Sequence, residues 1–186
     1  RLSLVGSEMC IRDSNNMTPK TPSESKTTQT EIVLPNDTNN LNNLMGGRLL
    51  HWMDIVAAVT AQRHSERTCV TASVNNVSFG HPIPRESIVT LEANISRSFN
   101  SSMEIIIDVW TEDTQSRVKT KCNEAIYTFV AVGNMNKPTT VPEVIPETKK
   151  EKERFDAALR RRQLSLILAG KMKAEEASEL KALFSK

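Results

Sequence analysis

Four consecutive strand-like runs, 69–79, 88–96, 103–111 and 118–132, follow one another with no helical period between them, and one long helical run stands directly before the first. Strands joined by such short connections pair antiparallel, because a parallel pair needs a crossover of a dozen or more residues. In the second run Val89, Leu91, Ala93 and Ile95 alternate with Thr90, Glu92, Asn94 and Ser96, the mark of a strand with one face buried. Met103, Ile105, Ile107 and Val109 repeat the pattern in the third. In the first, Val70, Ala72 and Val74 hold one phase and Val77 and Phe79 the opposite one, which places a bulge at Asn75-Asn76. The connection Phe99-Asn100-Ser101-Ser102 is rich in turn formers and reads as a hairpin.

The helical run spans 48–64. Leu49, Met53, Val56 and Thr60, with Leu50, Ala57 and Ala61 beside them, make almost a whole side small or aliphatic, as suits a helix that sheet covers over most of its surface. A short strand at 31–34, closed by Pro35, precedes it across polar turn residues and Gly46-Gly47. One strand, one long helix and four more strands is an α+β pattern, with the helix packed on a single antiparallel sheet. The 186 residues suffice for one main domain, and with aromatics at only 4% its core must be aliphatic.

The ends read differently. The segment 1–16 shows no strand or helix period and resembles translated adapter read-through, so it is expected to be a non-native leader with Met17 as the native start. Residues 17–27 hold too few apolar groups to offset ordering and are expected to be a disordered lead-in. With the domain placed at 28–140, residues 141–186 form a Pro-rich linker and helical tail, with one helix ending at Gly170 and another marked by Ala174, Ala177, Leu180 and Phe184. The tail from 147 onward carries eleven Lys/Arg against seven Asp/Glu, so the net charge of +2 arises there and the body is balanced. A balanced body argues against a nucleic-acid partner. No apolar run reaches the length of a membrane span. Cys10, Cys69 and Cys122 form neither a metal motif nor a disulfide framework, which fits a reducing, cytoplasmic setting.

Asp54 is the residue with the most chemical content. Its helical neighbours are Leu50, Ala57, Ala58 and Ala61, and an ion kept in an apolar stripe is costly unless paired, so it is either functional or bonded at the stripe's edge. Gly46 and Gly47 open the helix with unobstructed backbone N–H groups, suited to an anion or a polarised carbonyl, though glycine there is also a common turn residue. Asn43 stands three residues earlier and is either an ordinary loop residue or an amide aimed at the same space. His51 and Asp54 share a helix face, but no third ligand accompanies them, so no metal is expected. His64 reads as a partner of the helix dipole, and His81 as a loop residue. Ser101 and Ser102 lack the context of a nucleophile elbow.

The strings LPNDTNNLNNLMGGRLLHWMDIVAAVTAQRH, CVTASVNNVSFGHPI, SSMEIIIDVW, EAIYTFVAV and ETKKEKERF, in that order, resemble the hotdog-fold acyl-CoA thioesterases, the branch of cytosolic long-chain acyl-CoA hydrolases and their bacterial single-domain relatives. The resemblance covers about residues 31–155. It implies an antiparallel sheet wrapped around one long central helix, paired into a homodimer and assembled as a trimer of dimers. It implies acyl-CoA as substrate, with CoA part of that substrate and no separate cofactor. It assigns Asp54 to the thioester or its water, Asn43 to a position facing it across the dimer, and Gly46 and Gly47 to the carbonyl. Relatives often carry glycine where Asn42 stands.

On this reading the helix amides stabilise the developing oxyanion and Asp54 activates water or attacks directly. Pantetheine is expected along Val77, Ser78 and Phe79, and the nucleotide phosphates near Arg97, Ser101 and Ser102. Two rival readings are a non-catalytic acyl-CoA-binding regulator, which should carry a DNA-binding helix-turn-helix, and a structural oligomer using the tail as an arm.

Overall fold

The structure is a computed structural model that describes residues 17–114 and 116–184. A single helical turn, α1 (Pro22–Ser25), leads into β1 (Thr27–Ile32), a 3-10 turn (Pro35–Asp37) and the long helix α2 (Gly46–Ser65). Then come β2 (Thr68–Phe79), β3 (Ile88–Ser98), β4 (Ser102–Glu112) and β5 (Lys119–Val132), followed by α3 (Lys149–Leu168) and the short α4 (Ser178–Lys181). The strands form one antiparallel sheet in the order β1-β3-β4-β5-β2. The expected α+β class and helix-on-sheet arrangement are both present.

α2 touches all five strands, which a helix about 10 Å wide can do only if the sheet curls around it. Leu49, Met53, Val56, Ala57 and Ala61 meet the inward rows of β3, β4 and β5, among them Leu91, Ile105, Ile107 and Phe129, all essentially sealed from solvent. Small residues on α2 let the strands approach closely, and the aliphatic rows interlock without a large aromatic share. The bulge expected at Asn75-Asn76 is a register shift between Asn75 and Ser78. β2 is an edge strand, and it leaves Val70, Val74 and Phe79 exposed, with Ile55 and Val59 exposed on α2.

Three expectations need correction. Residues 20–27 are ordered, not a disordered lead-in: Lys20 bridges Val144 through the backbone, and its Nζ donates to the carbonyls of Arg63 and His64 and to Glu66. A cation at the C-terminal end of α2 and a glutamate-capped turn at Thr21 stabilise a segment that has little apolar surface. β1 therefore begins at Thr27 rather than at residue 31. The leader 1–16 lies outside the described residues.

The second correction concerns the tail. α3 docks on the outer face of the sheet, so β4 is buried on both faces from Ser102 to Val109 rather than alternating. Arg154 donates to both carboxylate oxygens of Asp108, at 2.9 and 2.6 Å, and Arg161 grips Glu104 through Nε and Nη2, at 3.0 and 2.7 Å. The arginines stand two helical turns apart and the acids four strand residues apart, about 10 and 13 Å respectively, a difference that the long arginine side chains span. Ala158 is sealed between them. The tail is part of the folded body. Third, the final helix is only one turn long, with Ala177 buried and Phe184 exposed.

His64 is fully buried and neutral rather than a charged dipole partner. Burial lowers its pKa, and Nε2 bonds the Pro142 carbonyl at 3.0 Å. No described helix is long and apolar enough to cross a membrane.

Candidate active site

The loop before α2 is held by its own side chains. Asp37, nearly sealed, binds Arg48 Nε at 2.7 Å, accepts the Leu34 N–H and receives the Met45 N–H on its carbonyl. This anchors the loop to the first turn of the helix. Asn39 Oδ1 accepts from the backbone N–H groups of Leu41 and Asn43, and its Nδ2 donates to nothing among the described residues. Asn42 takes φ 57°, a left-handed conformation that asparagine tolerates and glycine adopts freely. Asn43 pairs through its backbone with Asn39 and Pro84.

α2 starts at Gly46 with no side chain capping its first amides, so these N–H groups face outward with their partial positive charge unmatched. A Cβ on Gly46 would lie 3.3 Å from Phe79 Cζ, whereas Gly47 meets open space. The exposed ring of Phe79 thus rests on the helix start. Val77 packs on the core, and Ser78 is exposed.

Asp54 is half-buried, at the edge of the apolar stripe and not inside it. Thr71 on β2 donates its hydroxyl to Oδ1 at 2.8 Å, leaving Oδ2 with no partner among the described residues. Tyr127 on β5 donates to the Leu50 carbonyl at 3.3 Å, and burial, with the nearby Asp54 charge, pushes its pKa up to about 12. Tyr127 therefore stays a neutral donor. His51 is exposed on α2, His81 is an exposed loop residue, and no group of three or more possible metal ligands occurs among the described residues.

Asp54 and Gly46 are eight helix residues apart, about 12 Å along the axis. The acid and the open amides of one chain therefore do not converge on one carbonyl. Ser101 and Ser102 do not join the helix start either. Ser102 pairs with Val130, which pairs with Val70, placing the hairpin at the opposite end of the sheet from Phe79. Arg97 stacks on Phe155 of α3, 3.9 Å from the ring centroid, and bonds the Phe155 carbonyl. Asn39, Thr71 and Tyr127 were not singled out by sequence. For Thr71 the only signal was the edge strand's odd phase.

A sheet curled about one helix, with an acid in mid-helix and open amides at the helix start, defines the hotdog class of thioester-handling proteins. The thioesterase superfamily model matches residues 41–118. The uncharacterized acyl-CoA thioester hydrolase of Bacillus subtilis is 38% identical over 138 residues, covering 74% of this chain and 80% of that one. Mouse acyl-coenzyme A thioesterase 11 is 38% identical over 143 residues, 77% of this chain, and the rat cytosolic acyl coenzyme A thioester hydrolase is 32% identical over 143 residues, 76% of this chain. The chain spans only 24% and 38% of these two longer proteins. Among solved structures, the Staphylococcus aureus acyl-CoA hydrolase, in complex with butyryl coenzyme A, coenzyme A and coenzyme A disulfide, superposes with TM-score 0.76 at 34% identity, over 82% of this chain and 94% of that one. An apo hexameric acyl-CoA thioesterase superposes with TM-score 0.80 at 33% identity, over 82% and 98%. Alanine variants of the Staphylococcus enzyme have also been solved at an aspartate, at an asparagine 15 positions before it and at a threonine 17 positions after it. The chain belongs to the thioesterase superfamily, in its acyl-CoA thioesterase branch.

Proposed function

We propose that this chain hydrolyses fatty acyl-CoA to the free fatty acid and CoA. The observation that carries the reading is the Asp54–Thr71 hydrogen bond of 2.8 Å, together with spacing: Asn39 lies 15 positions before Asp54 and Thr71 lies 17 after, the spacing of the three residues varied in the Staphylococcus enzyme. Asp54 acts as general base. Thr71 fixes Oδ1, and Oδ2 takes a proton from water as the water oxygen attacks the thioester carbon. The carbonyl oxygen becomes an oxyanion facing the first amides of α2, Gly46 and Gly47. The C–S bond then breaks, and the proton passes from Asp54 to the departing thiolate. The orienting amide is Asn39 rather than Asn43, because its Oδ1 is pinned by two backbone N–H groups and its Nδ2 is left to donate.

The 12 Å between acid and amides is closed by a second subunit. The edge of β2, with Val70 and Val74, and the exposed Ile55 and Val59 of α2 form the surface for a homodimer, and the trimer of dimers follows the hexameric relative. Pantetheine runs past Val77, Ser78 and Phe79. Arg97, Ser101 and Ser102 reach the nucleotide end of a CoA bound to a neighbouring subunit. The two buried, unpaired thiols Cys69 and Cys122 suit a cytoplasmic enzyme that uses neither as nucleophile; burial raises the pKa of both. Release of free thiol from acyl-CoA, followed with a thiol reagent, tests the reading. A chain that binds acyl-CoA without releasing thiol is a ligand-sensing module instead.

A further inference from the structure

Asn123 opens the inward row of β5, which continues through Ala125, Tyr127, Phe129 and Ala131, and it is only 4% exposed. It pairs with Val109 on one side and Phe79 on the other, and directly opposed residues share a face of the sheet. Its Oδ1 accepts the Gly80 N–H at 3.0 Å. Its Nδ2 donates to nothing among the described residues. The Nδ2 is not among the sealed polar atoms that lack a partner, so it reaches solvent from an otherwise buried residue and is open to a ligand.

The backbone around this side chain is built to aim it. Val109 pairs with Asn123 and Trp110 with Lys121, so Cys122 is an extra bulged residue, and the second strand beside it carries its own register shift between Asn75 and Ser78. Bulges redirect the side chains next to them. Gly80 lies against the bulge so closely that a Cβ there would be 3.1 Å from the Cys122 carbonyl oxygen. The Gly80 bond then fixes which way the amide is turned, and the strand partner of Asn123 is Phe79, whose ring rests on Gly46.

The thioester carbonyl faces the amides of Gly46 and Gly47 in the proposed reaction. In an acyl-CoA the next acceptor along the pantetheine arm is the carbonyl of its first amide, two methylenes and a nitrogen beyond the sulfur. Phe79 links the two positions, since its ring meets Gly46 and its backbone pairs with Asn123. We infer that Asn123 is a specificity-determining residue whose Nδ2 donates to this first pantetheine amide carbonyl. The inference rests on the thioesterase reading.

The test uses one acyl group carried on three thiols: CoA, N-acetylcysteamine, which keeps the amide, and butanethiol, which lacks it. Two variants are compared with the full chain. Asn123→Asp keeps an acceptor for the Gly80 N–H and removes the donors, and Asn123→Ala removes both without adding charge. Both variants are expected to lose about tenfold in kcat/KM, mostly through KM, on the first two substrates and less than twofold on the butanethiol ester. Equal losses on all three substrates overturn the inference, since they report damage to the fold alone. So does a wild-type chain that shows no preference for N-acetylcysteamine over butanethiol, a result that needs no variant to fold. A wild-type chain that cleaves none of the three overturns the thioesterase reading itself.

Discussion

The two faces of the sheet are covered by helices of equal length that dock by opposite means. On the inner face α2 presents Leu49, Met53, Val56, Ala57 and Ala61 to the sheet, and burial of apolar surface dominates its docking. On the outer face α3 is held by Arg154 on Asp108 and Arg161 on Glu104, with Phe155 against Arg97 and Ala158 between. Burying carboxylates is favourable only with well-placed partners, and each acid here has them. The inner face is therefore apolar apart from a few hydrogen-bonded side chains such as His64 and Asp54, whereas the outer face is held by polar pairs.

The largest expected effect is on the inner face. Asp54→Asn keeps an acceptor for Thr71 and should leave the melting temperature unchanged or slightly raised, while kcat falls by about 10²- to 10⁴-fold. Steady-state kinetics alongside thermal melts read both quantities, and full activity in this variant removes Asp54 from the mechanism. On the outer face Arg161→Ala leaves Glu104 buried with only Ser96 beside it, and should cost about 3 kcal/mol of stability in urea unfolding, with kcat/KM unchanged well below the melting temperature. Lost activity with an intact fold would break the separation of the two faces.

Acid should also lower stability in two stages, the later of them on the outer face. Burial alone would raise the Asp108 carboxyl, but the hydrogen bonds and charges of Lys121 and Arg154 outweigh it and hold the pKa at about 2, against 3.8 for an ordinary aspartate. A depressed acid contributes stability above its unfolded pKa and loses it on acidification, so about 2 kcal/mol should disappear between pH 4 and pH 2. The earlier stage belongs to His64, whose burial lowers its pKa below 6.5; the unfolded chain takes up the proton first, and stability declines as pH falls below that value. His64→Gln, which can still donate to the Pro142 carbonyl, should flatten this first limb and leave the second. The smallest effect is Thr71→Ala, expected to lower kcat about tenfold by freeing the Asp54 carboxylate to rotate, and an unchanged kcat would reduce that bond to a structural one.

The inner face was legible in the sequence because apolar periodicity encodes it directly. The Val89 to Ile95 alternation and the Leu49 to Ala61 stripe both appear where expected. β4 was misread as half-buried because Glu104 and Asp108 look like solvent residues until Arg161 and Arg154, some fifty residues away, arrive to pair with them. Lys20 misled for the same reason, since a polar segment docked by charge has no hydrophobic signature. Within the site, Asp54 and the glycine pair stood out through local context. Asn39, Thr71 and Asn123 did not, because each depends on a loop hydrogen bond, a bulged register or a cross-strand neighbour that no window of sequence displays.

The contact between Gly46 and Phe79 carries an evolutionary corollary. A methyl group at position 46 would press on the ring at 3.3 Å, so alanine at 46 calls for a ring at 79 that gives by a few tenths of an ångström, or for a smaller side chain there. Gly47, facing open space, is under no such constraint from its neighbours. Descendants of this chain should therefore keep glycine at 46 for as long as 79 holds an aromatic ring, two sites thirty-three residues apart, while 47 varies according to what the ligand permits.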